Sequence, residues 1–401
     1  MGRLMTQLFP YYLLGPMRSS RYLLRAVAFA LAAFFLFGGS GCATTRQADP
    51  GLAWEGMASP AWTYRSGQDR FSVAVSPARQ TLQYGGTTGL LIGGGISMVS
   101  NTRHRGPIDD LLAGYDAGAY LESRLLDALE TAWTQPVTLV EPMRSTAGYQ
   151  DRREAEREYY RELHRAGHDG LLLIESAYGL FGPQGTMAVR LDARIEEAPG
   201  GVTRWSGHVL ATSEAPLLGD RLTDPTQRMT GNWRSPRLTV EEDAIGQWTG
   251  DDGTLLRSTY ESLVEGALAA LLAALDLTET STGHYHLGVQ ALYENETAAA
   301  YAHFLSAREH MNASDALMPD VLNGMAYALW RDEQPEAALT HLESAQALDP
   351  DDATTQYNLA YLLAEQRQEL DRAAGYYQAA QAQGMPRSRA IERNLEAATQ
   401  G

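Results

Sequence analysis

The chain has 401 residues, 44% of them hydrophobic and 20% charged, with a formal net charge of −17, a length that predicts two folded domains after any leader. The acidic balance argues against nucleic acid as a partner, because neutralising phosphates needs a basic surface. All 32 basic residues are arginine, which reads as codon bias, and Cys42 is the one cysteine; with that thiol modified, disulfides, thiolate metal sites and cysteine nucleophiles are all excluded from the folded part.

At the N-terminus Arg18, Arg21 and Arg25 precede an apolar run from Ala26 to Phe37, followed by Gly38, Gly39, Ser40, Gly41 and then Cys42. The run is short for a spanning helix and has the basic start, apolar middle and small-residue exit of a signal peptide. It resembles the lipobox of bacterial lipoproteins, in which the cysteine thiol takes a diacylglycerol and becomes the new N-terminus. Ser40 and Gly41 fit that pattern, and Gly39 stands where the family favours leucine. The resemblance implies lipidation at Cys42. Ala43, in place of the aspartate that retains lipoproteins in the inner membrane, implies a lipid anchor on the periplasmic side of the outer membrane of a Gram-negative bacterium. An uncleaved anchor and an ordinary secretory signal are the alternatives, and Met17 stands beside Met1 as a start. Residues 1–42 are therefore read as a signal peptide. Residues 43–62, with small and polar residues, Pro50, Pro60 and no sustained period, are read as a flexible tether.

Residues 63–279 mix two periods. A first strand is predicted around FSVAVSP (71–77), a helix over 116–133, a strand over 137–142 and a charged helix over 151–167 that ends at Gly167. Strands follow over 169–182, 186–198 and 201–213, the last two joined by a turn at Pro199, Gly200 and Gly201, and a helix over 254–277 closes the unit. The order β-α-β-α-β-β-β-α predicts an α+β domain, a mixed sheet with helices packed on it. This order, together with FSVAVSP, the small helix start at Ala117, Gly118 and Ala119, the strand DGLLLIESAYGL and Trp205, is similar to the periplasmic lipoprotein domains related to CsgG, the TolB N-terminal domain, PelC and LpoB. The resemblance implies a scaffold for outer-membrane assemblies rather than an enzyme, and a homo-oligomer is compatible with it.

From residue 280 the composition turns to Ala, Leu, Tyr and Glu with an internal repeat. Ala300, Phe304 and Ala307 recur as Ala338, Leu342 and Ala345 and again as Ala373, Tyr377 and Ala380, at steps of 338 − 300 = 38 and 373 − 338 = 35 residues. Leu287 and Gly288, Met325 and Ala326, and Leu359 and Ala360 recur in phase, and Pro350 closes the second unit. The stretch 280–401 resembles three tetratricopeptide (TPR) repeats, an all-α solenoid, with 386–400 as a polar capping helix. By that resemblance the inner face of the first helices presents Tyr285, Asn323, Tyr327, Trp330, Tyr357 and Tyr361, with Val289 beside them, as a protein-binding groove. Tyrosine and tryptophan give large contact area at low entropy cost. The alternative is that some of these side chains fill the core between helices.

Little else carries chemistry. His164 and His168 are four apart, but Gly167 interrupts their helix; His284 and His286 are two apart and point to different faces of one. The glycines of GLLIGGGISMVS (89–100) lack phosphate-loop phasing and read as a close-packing segment, inside the domain, on a neighbouring subunit or against the bilayer. Asp251, Asp252 and Gly253 read as a turn before the last helix rather than a calcium loop. No cofactor, metal or catalytic residue is expected. The sequence therefore points to a non-enzymatic, lipid-anchored periplasmic scaffold or adaptor that binds an unidentified protein partner through its repeats. The alternatives are an oligomeric component of an export or envelope-assembly apparatus and a regulator of a cell-wall or polysaccharide synthase.

Overall fold

Strands from two distant parts of the chain meet in one mixed sheet. The computed structural model describes residues 50–66, 71–73, 106–133, 138–143, 149–182, 184–220, 222, 224–226, 240, 242–312, 314–367 and 369–399. Its strands are β1 (Pro60–Ser66), β2 (Ser72–Val73), β3 (Thr138–Leu139), β4 (Gly170–Phe181), β5 (Thr186–Glu197) and β6 (Val202–Thr212). They lie in the order β3-β1-β4-β5-β6, with β2 also beside β4. β1 runs parallel to β3 and β4, β2 is parallel to β4, and β4, β5 and β6 form an antiparallel meander.

The helices are α1 (Pro50–Ala53), α2 (Ala117–Ala132), α3 (Tyr149–Arg165), α4 (Glu242–Thr249), α5 (Thr254–Ala274), α6 (Ser281–Tyr293), α7 (Thr297–Glu309), α8 (Met318–Arg331), α9 (Pro335–Leu348), α10 (Ala353–Glu365), α11 (Leu370–Ala382) and α12 (Arg389–Thr399). An α+β part is thus followed by a run of helices. Among the described residues no helix is long and apolar enough to cross a membrane.

Alternation along the strands divides the sheet into two faces. Trp62, Leu172, Ile174, Leu191 and Val209 point to the face covered by α2 and α5, where Leu121, Leu125 and Leu129 of α2 supply a stripe at helical spacing. The α2 start is small because Tyr260 of α5 comes down on it, its hydroxyl donating to the Ala117 carbonyl at 2.7 Å. Asp116 caps the helix by accepting from the Ala119 N–H at 2.9 Å. The opposite face is shared: α3 covers Ala61 and Leu171 with Tyr160 and Leu163, and the run of helices covers Ala188 and Leu210.

Three expectations change here. The stretch 43–62 is not a tether in its second half: Ala53 is buried, Trp62 is wholly buried, and 60–62 open the strand beside β4. Both faces of β1 are covered, so its residues do not alternate between apolar and polar and the strand signal is lost. The leading strand of the sheet is therefore β1 rather than FSVAVSP, of which Ser72–Val73 is strand and residues 74–77 lie outside the described residues. The boundary at 279/280 is not a gap either, since residues 48–401 form one compact unit. At that boundary α5 and α6 pack closely, and a Cβ at Gly266 would overlap the His286 ring. Cys42 and the segment 89–100 lie outside the described residues.

Consecutive helices from α6 to α11 pack as three hairpins, and the first helices α6, α8 and α10 touch one another in series. The in-phase positions are those that pack: Ala300, Phe304, Ala307, Ala338, Leu342, Ala345, Ala373 and Ala380 have no exposed surface and Tyr377 very little. Small residues let neighbouring helices approach and large ones fill the space between pairs. Phe304 shows this directly, filling the space left at Gly288 and Gly324. The expected capping helix is α12, seated on the last hairpin through Ile391 and Leu395.

Candidate functional site

The candidate site is the face shared by α6, α8 and α10, and the chain itself already lies on it. After β6 ends at Thr212, the backbone continues as a strap over residues 213–222, of which 221 is outside the described residues. It runs without regular structure to Leu217 and then turns at Leu217–Asp220, where the Asp220 N–H donates to the Leu217 carbonyl at 3.2 Å. Leu218 is wholly buried and Leu222 nearly so, both packed among Phe181, Ala188 and Leu210 of the sheet and Met325 of α8. The strap therefore lies between the sheet and the helices.

Side chains of the helices read its main chain. Asn358 of α10 donates from Nδ2 to the Pro216 carbonyl at 3.2 Å and accepts the Leu218 N–H on Oδ1 at 2.8 Å. Its orientation is set by Asn323 of α8, whose Oδ1 accepts from the same Nδ2 at 3.0 Å. Asn323 is fixed in turn by donating to Thr355 Oγ1 at 2.7 Å and to the Pro319 carbonyl at 3.0 Å. Tyr327 donates its hydroxyl to the Asp220 carbonyl at 2.6 Å. Gly219, with φ +88°, lies against the Tyr361 ring, where a side chain would collide.

The six expected groove residues therefore divide. Asn323, Tyr327 and Tyr357 are buried: the first two are used up by hydrogen bonds within the chain, and Tyr357 packs with Ala373 and Tyr377. Tyr285 is partly buried against Phe304, ring centroids 6.0 Å apart. Trp330 and Tyr361 remain at the rim, half-buried and edge to face at 5.6 Å, with Trp330 Nε1 donating to Glu365 at 2.8 Å. Val289 is buried in the same cluster as the strap's Leu218. Asn358 was not among the expected residues, although its sequence signal existed: it repeats Asn323 at 358 − 323 = 35 residues.

A buried polar layer ties the strap to the sheet at its two ends. Glu214 Oε2 accepts from Thr186 at 3.3 Å and from the Tyr293 hydroxyl at 3.4 Å, and burial raises the carboxyl above its ordinary range. Further on, Arg190 of β5 pairs with Asp192 at 2.7 Å and with buried Asp224 at 3.1 Å, whose Oδ1 accepts from the Thr226 N–H and hydroxyl, both at 2.7 Å.

The histidines fall differently from their sequence spacing. His164 closes α3 and His168 lies beyond it, its Nδ1 3.3 Å from the Ser59 carbonyl. His284 meets His303 and His310 from other elements, with ring centroids 5.7 and 5.8 Å away. Among the described residues no group of three His, Cys, Asp or Glu could hold a metal ion. Asp251, Asp252 and Gly253 form the turn before α5.

His286 is buried against α5, and burial pushes its pKa down to about 4. The unfolded chain, with an ordinary histidine near 6.5, takes up this proton first. This contribution to stability is therefore present above pH 6.5 and is lost as pH falls toward 4, by up to about 2 kcal/mol at pH 5. Glu196, raised to about 7 by burial, acts in the opposite sense, stabilising as pH falls from 7 to its ordinary value. Urea midpoints of wild type and His286→Gln at pH 7.5 and pH 5 separate the two: the variant is expected to lose less stability on acidification than wild type, and equal losses would remove His286 as a cause.

No protein-family model matches the chain, and no match to a curated protein was found.

Proposed function

We propose that the chain is a non-enzymatic scaffold of the bacterial envelope, lipidated at Cys42, held at the outer membrane on the periplasmic side, and engaging a protein partner through its helical repeats. The observation that carries the reading is the shared face of α6, α8 and α10, which holds a stretch of non-helical polypeptide through side-chain hydrogen bonds to its main chain. Beside it the rim pair Trp330 and Tyr361 is still half-exposed. Rigid aromatic side chains at the edge of a desolvated slot are what protein interfaces use as anchors. The in-phase small and large residues of the three hairpins support a solenoid of the tetratricopeptide kind, and the mixed sheet is in keeping with a CsgG- or TolB-like domain. A lipid at Cys42 would confine the protein to two dimensions and raise its effective concentration for membrane-bound partners.

The test is affinity capture from membrane fractions with wild type, Cys42→Ser and Trp330→Ala plus Tyr361→Ala. Wild type is expected to be membrane-retained and to bring down a partner, Cys42→Ser to appear in the soluble fraction, and the double variant to lose most of the partner while remaining cooperatively folded with a modestly lowered unfolding midpoint. Unchanged recovery with the double variant would remove the rim from the interface. Tyr327 is unsuited to this test, because truncating it breaks an internal hydrogen bond.

A further inference from the structure

The strap is held in a manner that distinguishes it from ordinary loop packing. Its backbone is recognised at two adjacent peptide units by one amide side chain, Asn358, and again at Asp220 by Tyr327. The recognising amide is held by a second buried asparagine that itself bonds to α8 and α10, so the reader is oriented by the helices and not by the strap. Such preorganisation lowers the cost of binding a peptide segment. Specificity comes from one deep anchor, Leu218, and from Gly219, where the Tyr361 ring leaves no room for a side chain.

We infer that the slot between the sheet and the helices is a binding site for a peptide of Pro-Leu-Leu-Gly chemistry that turns at its Leu-Leu-Gly, occupied in the free protein by residues 215–220 as a displaceable ligand in cis. A partner presenting such a segment exchanges with the strap. The inference rests on the reading that the repeats hold a protein partner, and it names the kind of segment they hold. A covalently attached strap acts at a high effective concentration. A free peptide therefore binds weakly to wild type and tightly only where the strap has been removed or where a second contact, such as the rim pair, adds to it.

Two measurements test this. In wild type, amide hydrogen exchange at Leu218 is compared with that at Met325 in α8; a resident ligand opens without global unfolding, and Leu218 is expected to exchange at least tenfold faster. Exchange of both amides at the global unfolding rate would overturn the proposal, because the strap would then be integral core. In the second, a fluorescent peptide of residues 215–222 (APLLGDRL) is titrated onto full-length protein whose own 215–222 is replaced by alternating Gly and Ser. Saturable binding is expected, weakened at least tenfold by Asn358→Ala and weak on wild type. No binding to the folded Gly/Ser variant would overturn it, and should that variant fail to fold, the exchange measurement decides. Loss of capture by the rim variant together with failure here would leave the partner reading standing and remove only the peptide slot. Peptide binding to the Gly/Ser variant together with unchanged capture by Trp330→Ala alone, since Tyr361 also borders the slot at Gly219, would keep the slot and remove the rim.

Discussion

Trp62→Ala is expected to lower stability by about 3–5 kcal/mol, the range for truncating a large aromatic side chain in a core. Trp62 has no exposed surface and sits in the main core with Leu172, Ile174 and the α2 leucines. Its carbonyl accepts the Val140 N–H at 2.9 Å, which aligns β3 on β1, so loosening this residue also loosens the edge of the sheet. Trp54→Ala is the control. That ring is partly buried, edge-on to Trp133 at 4.8 Å, and its loss is expected to cost about 1 kcal/mol, near the centre of measured point-mutant effects. Urea unfolding with comparable slopes for both variants checks the pair. Equal and small losses would return residues 60–62 to the tether expected over 43–62.

Arg190→Met is the second large effect. Its guanidinium bridges Asp192, which is 41% exposed, and Asp224, which is 3% exposed. Removing the cation leaves the Asp224 charge buried with Thr226 as its donor among the described residues, and breaking a buried pair from one side costs about 3–5 kcal/mol. Asp192 adds little to that figure, since water solvates it once the arginine is gone. Asp224→Asn keeps an acceptor for Thr226 and is expected to cost less than Arg190→Met. The double variant is expected to be more stable than Arg190→Met alone, with a coupling of about 1–3 kcal/mol in the cycle. A purely additive cycle would show that the pair contributes no net interaction. Because Asp224 follows the strap and Arg190 belongs to the sheet, this cycle also measures how firmly the strap's far end is held.

The parts of the fold that were legible in the sequence are those with a local period. The hairpins from α6 to α11 announce themselves because Ala300, Phe304 and Ala307 recur in phase and each recurrence is a packing position. The helices α2 and α3 and the meander β4, β5 and β6 were legible for the same reason, each element carrying its own amphipathic pattern. β1 was not, because burial on both faces removes alternation and Pro60 reads as a breaker. The strap was not, because Pro216, Leu217, Leu218 and Gly219 carry only the signal of the turn they form, and nothing local shows that Leu218 is buried. Their partner surface lies more than a hundred residues away at Asn358. Of the site residues, Tyr327 bonds the strap's own backbone and Asn323 orients Asn358, which does the same. No pattern within one element can reveal that its binding face is already taken by another stretch of the same chain.

The welded junction bears on how the molecule can be cut. A fragment ending at 279 would expose Leu210, Leu218 and Ala188 to water, and one starting at 280 would leave the Asn358 amide and the Tyr327 hydroxyl without the strap they bond. Neither piece inherits a finished surface. The helices separated from the sheet would thus be a poor surrogate for the whole protein in any search for ligands, presenting as an open, sticky face what the intact chain keeps covered.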